Sequence, residues 1–301
     1  MQPYFTIFTS TYNRGYIISQ LYNSLINQTC KDFEWLIIDD GSTDNTKELV
    51  ESFKQQSNNN FQIRYKKIKN GGKPRAINYG VSLAKGKYFF MVDSDDYLLP
   101  DAIEKMHRWA DEIDNDTMHI AVGAARGFPD GSYIKGVPPI VNKNGYVDAT
   151  NLERKYYNLD VDMCEAYKIE ILKKFPMAEW PGEKFAPEEI ALNEIALAGY
   201  KIRWHKDIIY ICDYLDDGLT KGQWNLLRNN PMGYSMLYNH KLKYSNGLKE
   251  KIYNSSQMIA LALVGKNPKY ILKTYDKLST CLAIPIGVIL YFRRKVQFKN
   301  D

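Results

Sequence analysis

Asp93 and Asp95 stand one residue apart directly after an apolar run, KYFFMV at 87–92. The run is typical of a buried strand. Carboxylates at positions i and i+2 just past a strand can converge on one hard cation, and Mg²⁺ and Mn²⁺ prefer such oxygen ligands. Such an ion could neutralise charge developing on a diphosphate leaving group. The same residues also fit an Asp-rich turn or a helix cap, so both interpretations stay open at this point.

Two other polar clusters contain residues that could bind an anion or a nucleoside. Lys73 and Arg75 follow a Gly-Gly pair at the start of a predicted helix. Helix N-termini favour anions, and glycine allows close approach of a ligand to the backbone. Two cations there would suit a diphosphate, although a solvated basic pair explains them equally. Asp39 and Asp40 could accept hydrogen bonds from a base or ribose, or form a capping turn.

Glu188 and Glu189 begin an amphipathic helix predicted over 188–198. Carboxylates are stabilised at helix N-termini by the helix dipole, which is the structural interpretation. The functional interpretation is a general base on the rim of a ligand crevice. Trp180, nearby in sequence, could stack on a sugar ring or fill the core. The histidines lack metal-ligand spacing, and His205 alone is a candidate ligand.

The elements that position these residues alternate between strands and helices. Strands are predicted at 4–9, 34–38, 61–68 and 87–92, each followed by a helix. This alternation is typical of an α/β fold with a mostly parallel, Rossmann-like sheet and helices on both faces. Ligands of such sheets lie beyond the carboxyl ends of strands. The polar clusters that follow these strands are Thr9–Arg14, Asp39–Ser42, Asn70–Lys73 and Asp93–Asp96. The sequence therefore predicts a ligand crevice at that edge.

The pattern changes from about residue 118. Strands are predicted at 118–124, 200–204 and 207–212, with a hairpin turn at 128–132. After about residue 222 the chain is basic and is predicted to be helical.

Composition excludes several classes of protein. Of 301 residues, 45% are hydrophobic and 25% charged, which excludes a disordered chain. Four dispersed cysteines support neither a zinc site nor a disulfide scaffold and favour a reducing compartment. The absence of a Walker A loop and of Gly-x-Gly-x-x-Gly counts against a P-loop NTPase and a nicotinamide enzyme.

Charge is distributed unevenly along the chain. The net charge is +5, but residues 241–301 contain 12 Lys/Arg and 3 Asp/Glu. A basic tail of this kind favours an anionic surface or is simply a solvated helical face. The uncharged stretch 278–292 is shorter than the roughly 20 residues that span a bilayer, and basic residues follow it. No secretory signal is recognised at the N-terminus.

The chain resembles family 2 glycosyltransferases with the GT-A fold. The resemblance rests on FTIFTSTYNR, EWLIIDDGSTDNT, NGGKPRAINYG and YFFMVDSDDYLLPDAI, in this order and spacing, and is close over residues 4–106. It continues more weakly through CEAYKIEILKKF and FAPEEIALNEIALAGYKI. It implies an inverting transfer of a single sugar from a nucleotide diphosphate donor, usually a UDP-sugar, with Mn²⁺ or Mg²⁺ as cofactor.

The resemblance also implies roles for residues of the motifs. Asp95 and Asp93 would hold the metal, and Lys73 and Arg75 would line the diphosphate side. The residues implied in nucleotide-sugar binding are Thr9, Thr11, Arg14, Asp39, Asp40, Lys73, Arg75, Asp93, Ser94 and Asp95. The family base is the Asp of a Glu-Asp pair. Here the pair is Glu188-Glu189, so Glu189 takes the Asp position, and Glu188 stays an alternative.

Three further expectations concern the second half of the chain. Trp180 is a candidate acceptor contact, and Lys221 lies in GLTKG, where the family has a loop that closes over the donor. The Gln-x-x-Arg-Trp motif of processive members has no match, which favours single addition. The expected domains are a catalytic domain at 1–221, with a nucleotide-sugar half at 1–117 and an acceptor half at 118–221, and a basic helical region at 222–301.

The resemblance implies a metal-dependent hexosyl- or N-acetylhexosaminyl-transferase of surface-polysaccharide synthesis, such as capsule or O-antigen. Its acceptor would be a saccharide or a polyprenyl-diphosphate-linked oligosaccharide. The expected location is the cytoplasm, with the basic tail on an anionic membrane surface at its inner face. One alternative is a catalytically silent nucleotide-sugar or glycan-binding module. Nucleic-acid binding is not expected, since no known motif interleaves aromatic and basic residues.

Overall fold

A computed structural model describes residues 2–57, 60–213 and 223–298. The chain divides into two compact units. The first comprises Met1–Pro176 and Leu192–Asp213, and the second comprises Met177–Ala191 and Tyr214–Asp301. The expected domain boundary after residue 221 lies outside the described residues and stays a prediction.

The first part of the first unit alternates strands and helices as predicted. Apolar residues recur every three or four positions in its helices, which places Ile18, Leu21 and Leu25 on one buried face of the first helix. The elements are β1 Phe5–Thr11, α1 Ile18–Ile26, β2 Phe33–Asp39, α2 Thr46–Gln56, β3 Gln62–Lys67, α3 Lys73–Leu83 and β4 Tyr88–Met91.

The rest of the first unit departs from the prediction in two respects. The strands predicted at 200–204 and 207–212 are one strand, and three short or antiparallel strands were not predicted. The elements are β5 Tyr97–Leu98, α4 Ala102–Glu112, β6 His119–Gly127, β7 Tyr146–Ala149, a 3-10 helix Asn151–Tyr157, β8 Met163–Lys168, α5 Ile169–Lys174, α6 Glu189–Leu197 and β9 Lys201–Ile211. The single strand β9 pairs with β6 through register shifts, which break the pattern that suggested two strands.

The described strands form one sheet in the order β3-β2-β1-β4-β8-β6-β9-β5, with β7 also on β9. Strands β3, β2, β1 and β4 are parallel. Strand β8 runs antiparallel to both β4 and β6, so β6 has the same direction as β4. The carboxyl ends of β1, β2, β4 and β6 therefore meet at one edge of the sheet, where the predicted crevice lies.

Large side chains fill the core against this sheet. Trp35 is fully buried, and the rings of Tyr22 and Phe53 stack with centroids 4.1 Å apart. Gly80 allows α3 to approach β1, because a Cβ there would lie 2.2 Å from Cε2 of Phe8. This packing holds the ends of the parallel strands in fixed positions.

The second unit is helical, as predicted. Its elements beyond the start of α6 are α7 Gln223–Asn229, α8 Pro231–Lys241, α9 Leu248–Val264, a 3-10 helix Pro268–Lys273 and α10 Lys277–Gln297. Its core includes Met232, Met258, Ile259 and Tyr270. The carboxylate of Glu183 accepts hydrogen bonds from the first backbone N–H groups of α8, which anchors the segment before α6. Across the described ranges, every helix falls short of the length or hydropathy needed to cross a membrane.

Candidate active site

Asp93, at the end of β4, lies between two cations. Nζ of Lys73 donates to Oδ1 of Asp93 at 2.8 Å, and Nη1 of Arg126 lies 3.5 Å from Oδ2. Burial alone would raise the pKa of Asp93, but Lys73 and Arg126 outweigh burial and hold it below its ordinary value. Asp93 is therefore an ionised carboxylate at neutral pH, with 32% of its side chain still exposed.

Asp95 is paired more loosely. Nη2 of Arg14 lies 3.8 Å from Oδ2 of Asp95. Burial and the nearby charge of Asp93 raise the pKa of Asp95 above its ordinary value. Two carboxylates close enough to repel one another favour the binding of a cation, and the predicted metal binding by Asp93 and Asp95 stays a prediction.

Asp96 and Tyr210 form a buried layer behind this pair. The hydroxyl of Tyr210 donates to Oδ2 of Asp96 at 2.6 Å and accepts from the backbone N–H of Asp93 at 3.0 Å. Nη1 of Arg126 lies 3.6 Å from the same Asp96 oxygen. Burial and the charge of Asp93 raise the pKa of Asp96 to about 7. These contacts orient the backbone from which Asp93 and Asp95 project.

Asp39 and Asp40 hold loops in place. Asp39 is fully buried and accepts from the backbone N–H of Ser42 at 2.6 Å and from the hydroxyl of Tyr65. The two oxygens of Asp40 accept from the backbone N–H groups of Gly71 and Gly72, each at 2.7 Å. Both carboxylates thus connect the end of β2 to neighbouring loops. Their predicted contact with a base stays a prediction.

Thr9 and Thr11 of β1 differ in whether their hydroxyls have a hydrogen-bond partner. Thr9 is buried, and its hydroxyl accepts from Nε1 of Trp35 at 3.0 Å. Oγ1 of Thr11 and Oδ1 of Asn70 are buried without a hydrogen-bond partner among the described residues. Buried polar atoms normally have partners, so these two atoms are available to a ligand at the carboxyl edge.

Two other predicted binding residues lie at the same edge. Nη1 of Arg75 donates to the backbone carbonyl of Gly71, which directs the guanidinium back over the loop before α3. Ser94, between the two aspartates, is buried. The predicted binding residues from Thr9 to Asp95 thus all lie in the first unit, near the ends of its parallel strands or at the start of α3.

The remaining predicted residues belong to the second unit or lie outside the described ranges. Oε1 of Glu189 lies 3.3 Å from Nζ of Lys241 in the second unit. Glu188 precedes α6 directly and is partly buried. Trp180 is half-buried and packs edge-to-face on Tyr270, with centroids 5.4 Å apart, and its acceptor contact stays a prediction. Lys221 lies outside the described residues.

The described residues form no complete metal cage of their own. In the described ranges, no three His, Cys, Asp or Glu side chains form a cluster that could hold a metal by themselves. His205 stacks on Trp109 with centroids 3.9 Å apart, and burial followed by the charge of Arg203 lowers its pKa to about 3. An imidazole in that position is neutral at physiological pH.

Arg126 and Tyr210 were missed from the sequence. Arg126 follows the strand predicted at 118–124 by two residues, so the rule that selected Asp93 after its strand could have selected it too. Its guanidinium carbon lies 4.2 Å from the centroid of the Tyr210 ring. Tyr210 lies inside a strand and carries no motif signal. Together the cations and carboxylates can hold an anionic group on one side and a divalent cation on the other.

Comparison with known proteins identifies the family. The family described as "Glycosyl transferase family 2" matches residues 6–174. Glycosyltransferase GlyG of Streptococcus pneumoniae serotype 4 is 33% identical over 233 residues, which cover 75% of this chain and 76% of GlyG. Chondroitin synthase of Pasteurella multocida is 43% identical over 102 residues, or 34% of this chain. The matched segment spans 10% of that synthase's length.

Solved structures show the same fold. TarS 1–349 of S. aureus, in complex with UDP-GlcNAc, superimposes with a TM-score of 0.63 at 19% identity, covering 98% of this chain and 91% of that one. The mannosyltransferase PcManGT of Pyrobaculum calidifontis, in complex with GDP-Man and Mn²⁺, gives a TM-score of 0.56 at 14% identity, covering 99% and 83%. The expected GT-A fold is confirmed, and the chain belongs to glycosyl transferase family 2.

Proposed function

We propose that the chain is an inverting, metal-dependent glycosyltransferase that moves one sugar from a UDP-sugar to a saccharide or lipid-linked acceptor. The observation that carries this proposal is the group formed by Asp93, Asp95, Lys73 and Arg14 at the carboxyl edge of the sheet. A nucleoside diphosphate is the ligand whose charge this group matches. The complex of TarS with UDP-GlcNAc supports uridine as the nucleoside.

A divalent cation fits the two carboxylates. Mg²⁺ and Mn²⁺ are commonly held by one or two carboxylates together with substrate phosphates, so a third protein ligand is not required. Asp95 is the better ligand, because Asp93 already has Lys73 and Arg126 as partners. The ion would be Mn²⁺ or Mg²⁺, and it would stabilise negative charge on the departing diphosphate.

The transfer is a single displacement. The acceptor hydroxyl oxygen bonds to the anomeric carbon, while the bond from that carbon to the diphosphate oxygen breaks and UDP leaves. A carboxylate, assigned to Glu189 with Glu188 as the alternative, takes the hydroxyl proton. Lys73 and Arg14 stabilise the charge on the leaving diphosphate electrostatically. Displacement from the opposite side inverts the anomeric configuration.

The finer features rest on the resemblance. We assign Thr11, Ser94 and Arg75 to nucleotide-sugar binding, Trp180 to the acceptor and Lys221 to a loop over the donor. The donor sugar would be a hexose or an N-acetylhexosamine, and the product a surface polysaccharide. The enzyme would work in the cytoplasm, at the inner face of the membrane, with a catalytic domain at 1–221.

A second candidate is a silent module that binds a nucleotide-sugar or glycan without transfer. One observation favours it: Glu189 stands where the family has Asp, and Lys241 lies 3.3 Å from it. This ion pair competes with an acceptor hydroxyl for the carboxylate of Glu189. A module of this kind would bind UDP but release none from any UDP-sugar.

Turnover of UDP-sugars separates these two candidates. UDP release would be measured from a panel of UDP-sugars, with Mn²⁺ or with EDTA, and with added lipid-linked saccharides as acceptors. We expect release from one sugar that stops in EDTA and increases with acceptor. UDP binding without release under every condition would favour the silent module, and no UDP binding would contradict both.

A further inference from the structure

Helix α10 carries an exposed apolar face directed away from its own unit. We name Leu278, Leu282, Pro285, Ile289, Phe292 and Val296 the outward stripe. These positions recur every three or four residues, so they share one face of the helix. The stripe residues other than Pro285 are 51–69% exposed. The opposite face is buried at Ser279, Thr280, Ala283 and Gly287.

Packing against α9 explains which face is turned outward. Gly287 lies so close to α9 that a Cβ there would be 2.6 Å from Cγ2 of Ile259. The hydroxyl of Ser255 lies 3.1 Å from that of Ser279. Small and polar residues therefore form the inner contact, while the large apolar residues of α10 are left outside.

The exposed apolar surface extends beyond the stripe. Ile284, Ile286 and Val288 are also exposed, and 278–292 contains no charged residue. This stretch is roughly 22 Å long at 1.5 Å per residue. A contiguous apolar face of this length is uncommon on a monomer and marks an interaction surface.

Exposed cations frame the apolar surface. Lys273 and Lys277 precede it, and Arg293 and Lys295 follow it. Within residues 266–298, all of which the structure describes, the carboxylate side chain is Asp276 alone. The carboxylate of Asp276 already accepts hydrogen bonds from Nζ of Lys251 at 2.8 Å and from the backbone N–H of Ser279 at 2.9 Å. The surface thus combines an apolar face with cations that no carboxylate other than Asp276 balances within residues 266–298.

We infer that the outward stripe docks on an anionic lipid bilayer, with α10 lying along the interface. Apolar side chains would enter the acyl boundary while the framing cations meet lipid headgroups. A second copy of the chain fits less well. Pairing two α10 helices in register would place cations on cations in either orientation, with Lys277 near Arg293 when they are antiparallel.

Pro285 limits how deeply α10 can enter the bilayer. Proline has no N–H, so the carbonyl of Cys281 cannot accept the usual helical hydrogen bond from position 285. A carbonyl without a partner is costly in hydrocarbon but can bond to water among the headgroups. Pro285 lies on the outward stripe, which places this carbonyl at the level of the interface.

Vesicle binding of the full chain tests the inference. Sedimentation would compare phosphatidylcholine vesicles with vesicles containing about one third phosphatidylglycerol, at low and high salt. Leu282→Asp is the test variant, and Leu248→Asp is its matched control, because Leu282 is 51% and Leu248 52% exposed in the same unit. Arg293→Gln is compared with Lys249→Gln in the same way.

We expect binding to the anionic vesicles that weakens in high salt. Leu282→Asp should lower the affinity at least tenfold, since it removes a large apolar group from the lipid. Arg293→Gln should lower it about fivefold, as expected for one cation near the surface. The two controls should bind as wild type does, and circular dichroism checks that each variant is folded.

Other outcomes overturn the inference. Absence of vesicle binding, or equal loss in Leu282→Asp and Leu248→Asp, would do so. So would a concentration-dependent dimer that Leu282→Asp dissociates, because the face would then be a protein interface. The quenching that Phe292→Trp adds to that of the wild type, which has five tryptophans, reports depth. Added quenching by lipids brominated near the bilayer centre rather than near the headgroups would contradict an interfacial helix.

Tests of the proposed sugar transfer and of the proposed membrane binding are independent of each other. UDP release with a soluble acceptor needs no bilayer, and vesicle binding needs no donor. Loss of one property with retention of the other therefore shows which proposal is wrong.

Discussion

The guanidinium of Arg126 lies over the ring of Tyr210, with its central carbon 4.2 Å from the ring centroid. The same guanidinium contacts Asp93 and Asp96. Arg126 thereby neutralises charge beneath the aspartate pair without taking part in the predicted motifs. Since Nε of Arg126 also donates to the carbonyl of Met163 at 2.9 Å, its position is set by three separate strands.

Replacing Arg126 should destabilise the first unit. Arg126→Met would leave the carboxylates of Asp93 and Asp96 without their shared cation, at a cost of about 3 kcal/mol in the free energy of unfolding. Arg126→Lys should recover part of this loss. Urea unfolding gives the values, with Arg108→Met, at an exposed arginine, as control. A loss for Arg126→Met below about 0.5 kcal/mol would contradict the bridging role.

Replacing Asp95 should uncouple UDP binding from metal. Asp95→Asn removes a charged ligand and should weaken UDP binding in Mn²⁺ at least tenfold, while binding in EDTA changes little. Isothermal titration calorimetry of the folded variant measures both. Asp130→Asn, in the exposed hairpin turn, is the matched control. Unchanged Mn²⁺-dependent binding in Asp95→Asn would show that the ion is held elsewhere.

The two glutamates should differ in their effect on turnover. Glu189→Gln should slow UDP release to acceptor about 10²- to 10⁴-fold, the usual contribution of a general base, without weakening UDP binding. Glu188→Gln should slow it less than tenfold. The reverse order would assign the base to Glu188, and a small effect of both would remove the role from this pair.

Asp276 should make the stability of the second unit depend on acid pH. The hydrogen bonds from Lys251 and from the N–H of Ser279 lower its pKa from 3.8 to about 2. A lowered carboxyl pKa stabilises the fold above pH 3.8, and this stabilisation is lost as the pH falls towards 2. Asp276→Asn should cost about 0.5–1 kcal/mol at pH 7, as expected for a partly exposed ion pair.

The difference between wild type and Asp276→Asn should shrink between pH 5 and pH 3, as urea unfolding would measure. Glu170→Gln serves as the control at an exposed carboxylate of the other unit. A difference that stays constant over this range would mean that the charge of Asp276 is not involved.

Gly287 should tolerate no larger side chain. In Gly287→Val the new Cβ would meet Ile259 at 2.6 Å, so α9 and α10 must separate. Overpacking of this kind costs about 1–3 kcal/mol. Cys281→Val, an exposed position of the same helix, should change the stability by less than about 0.5 kcal/mol. Thermal unfolding compares the two, and equal melting temperatures would contradict the tight contact.

Local sequence determined the first half of the sheet and its polar edge. The alternation of β1 to β4 with helices follows from apolar periodicity, which is a property of neighbouring residues. The polar clusters after those strands, including Asp93, Asp95 and Lys73, followed from the same pattern. The helical second unit and the uncharged stretch of α10 were also evident from periodicity and composition.

Only tertiary structure decided which residues complete the site and which face of α10 is exposed. Antiparallel β8 lies between β4 and β6 in the sheet, and this nonlocal pairing brings Arg126 to Asp93. Asp40 binds the amides of Gly71 and Gly72 because β2 and the loop before α3 meet in space, a contact that the sequence did not predict. The contact of Gly287 with Ile259 turns the apolar side of α10 outward. Contacts between residues far apart in the chain depend on packing, which local patterns do not encode.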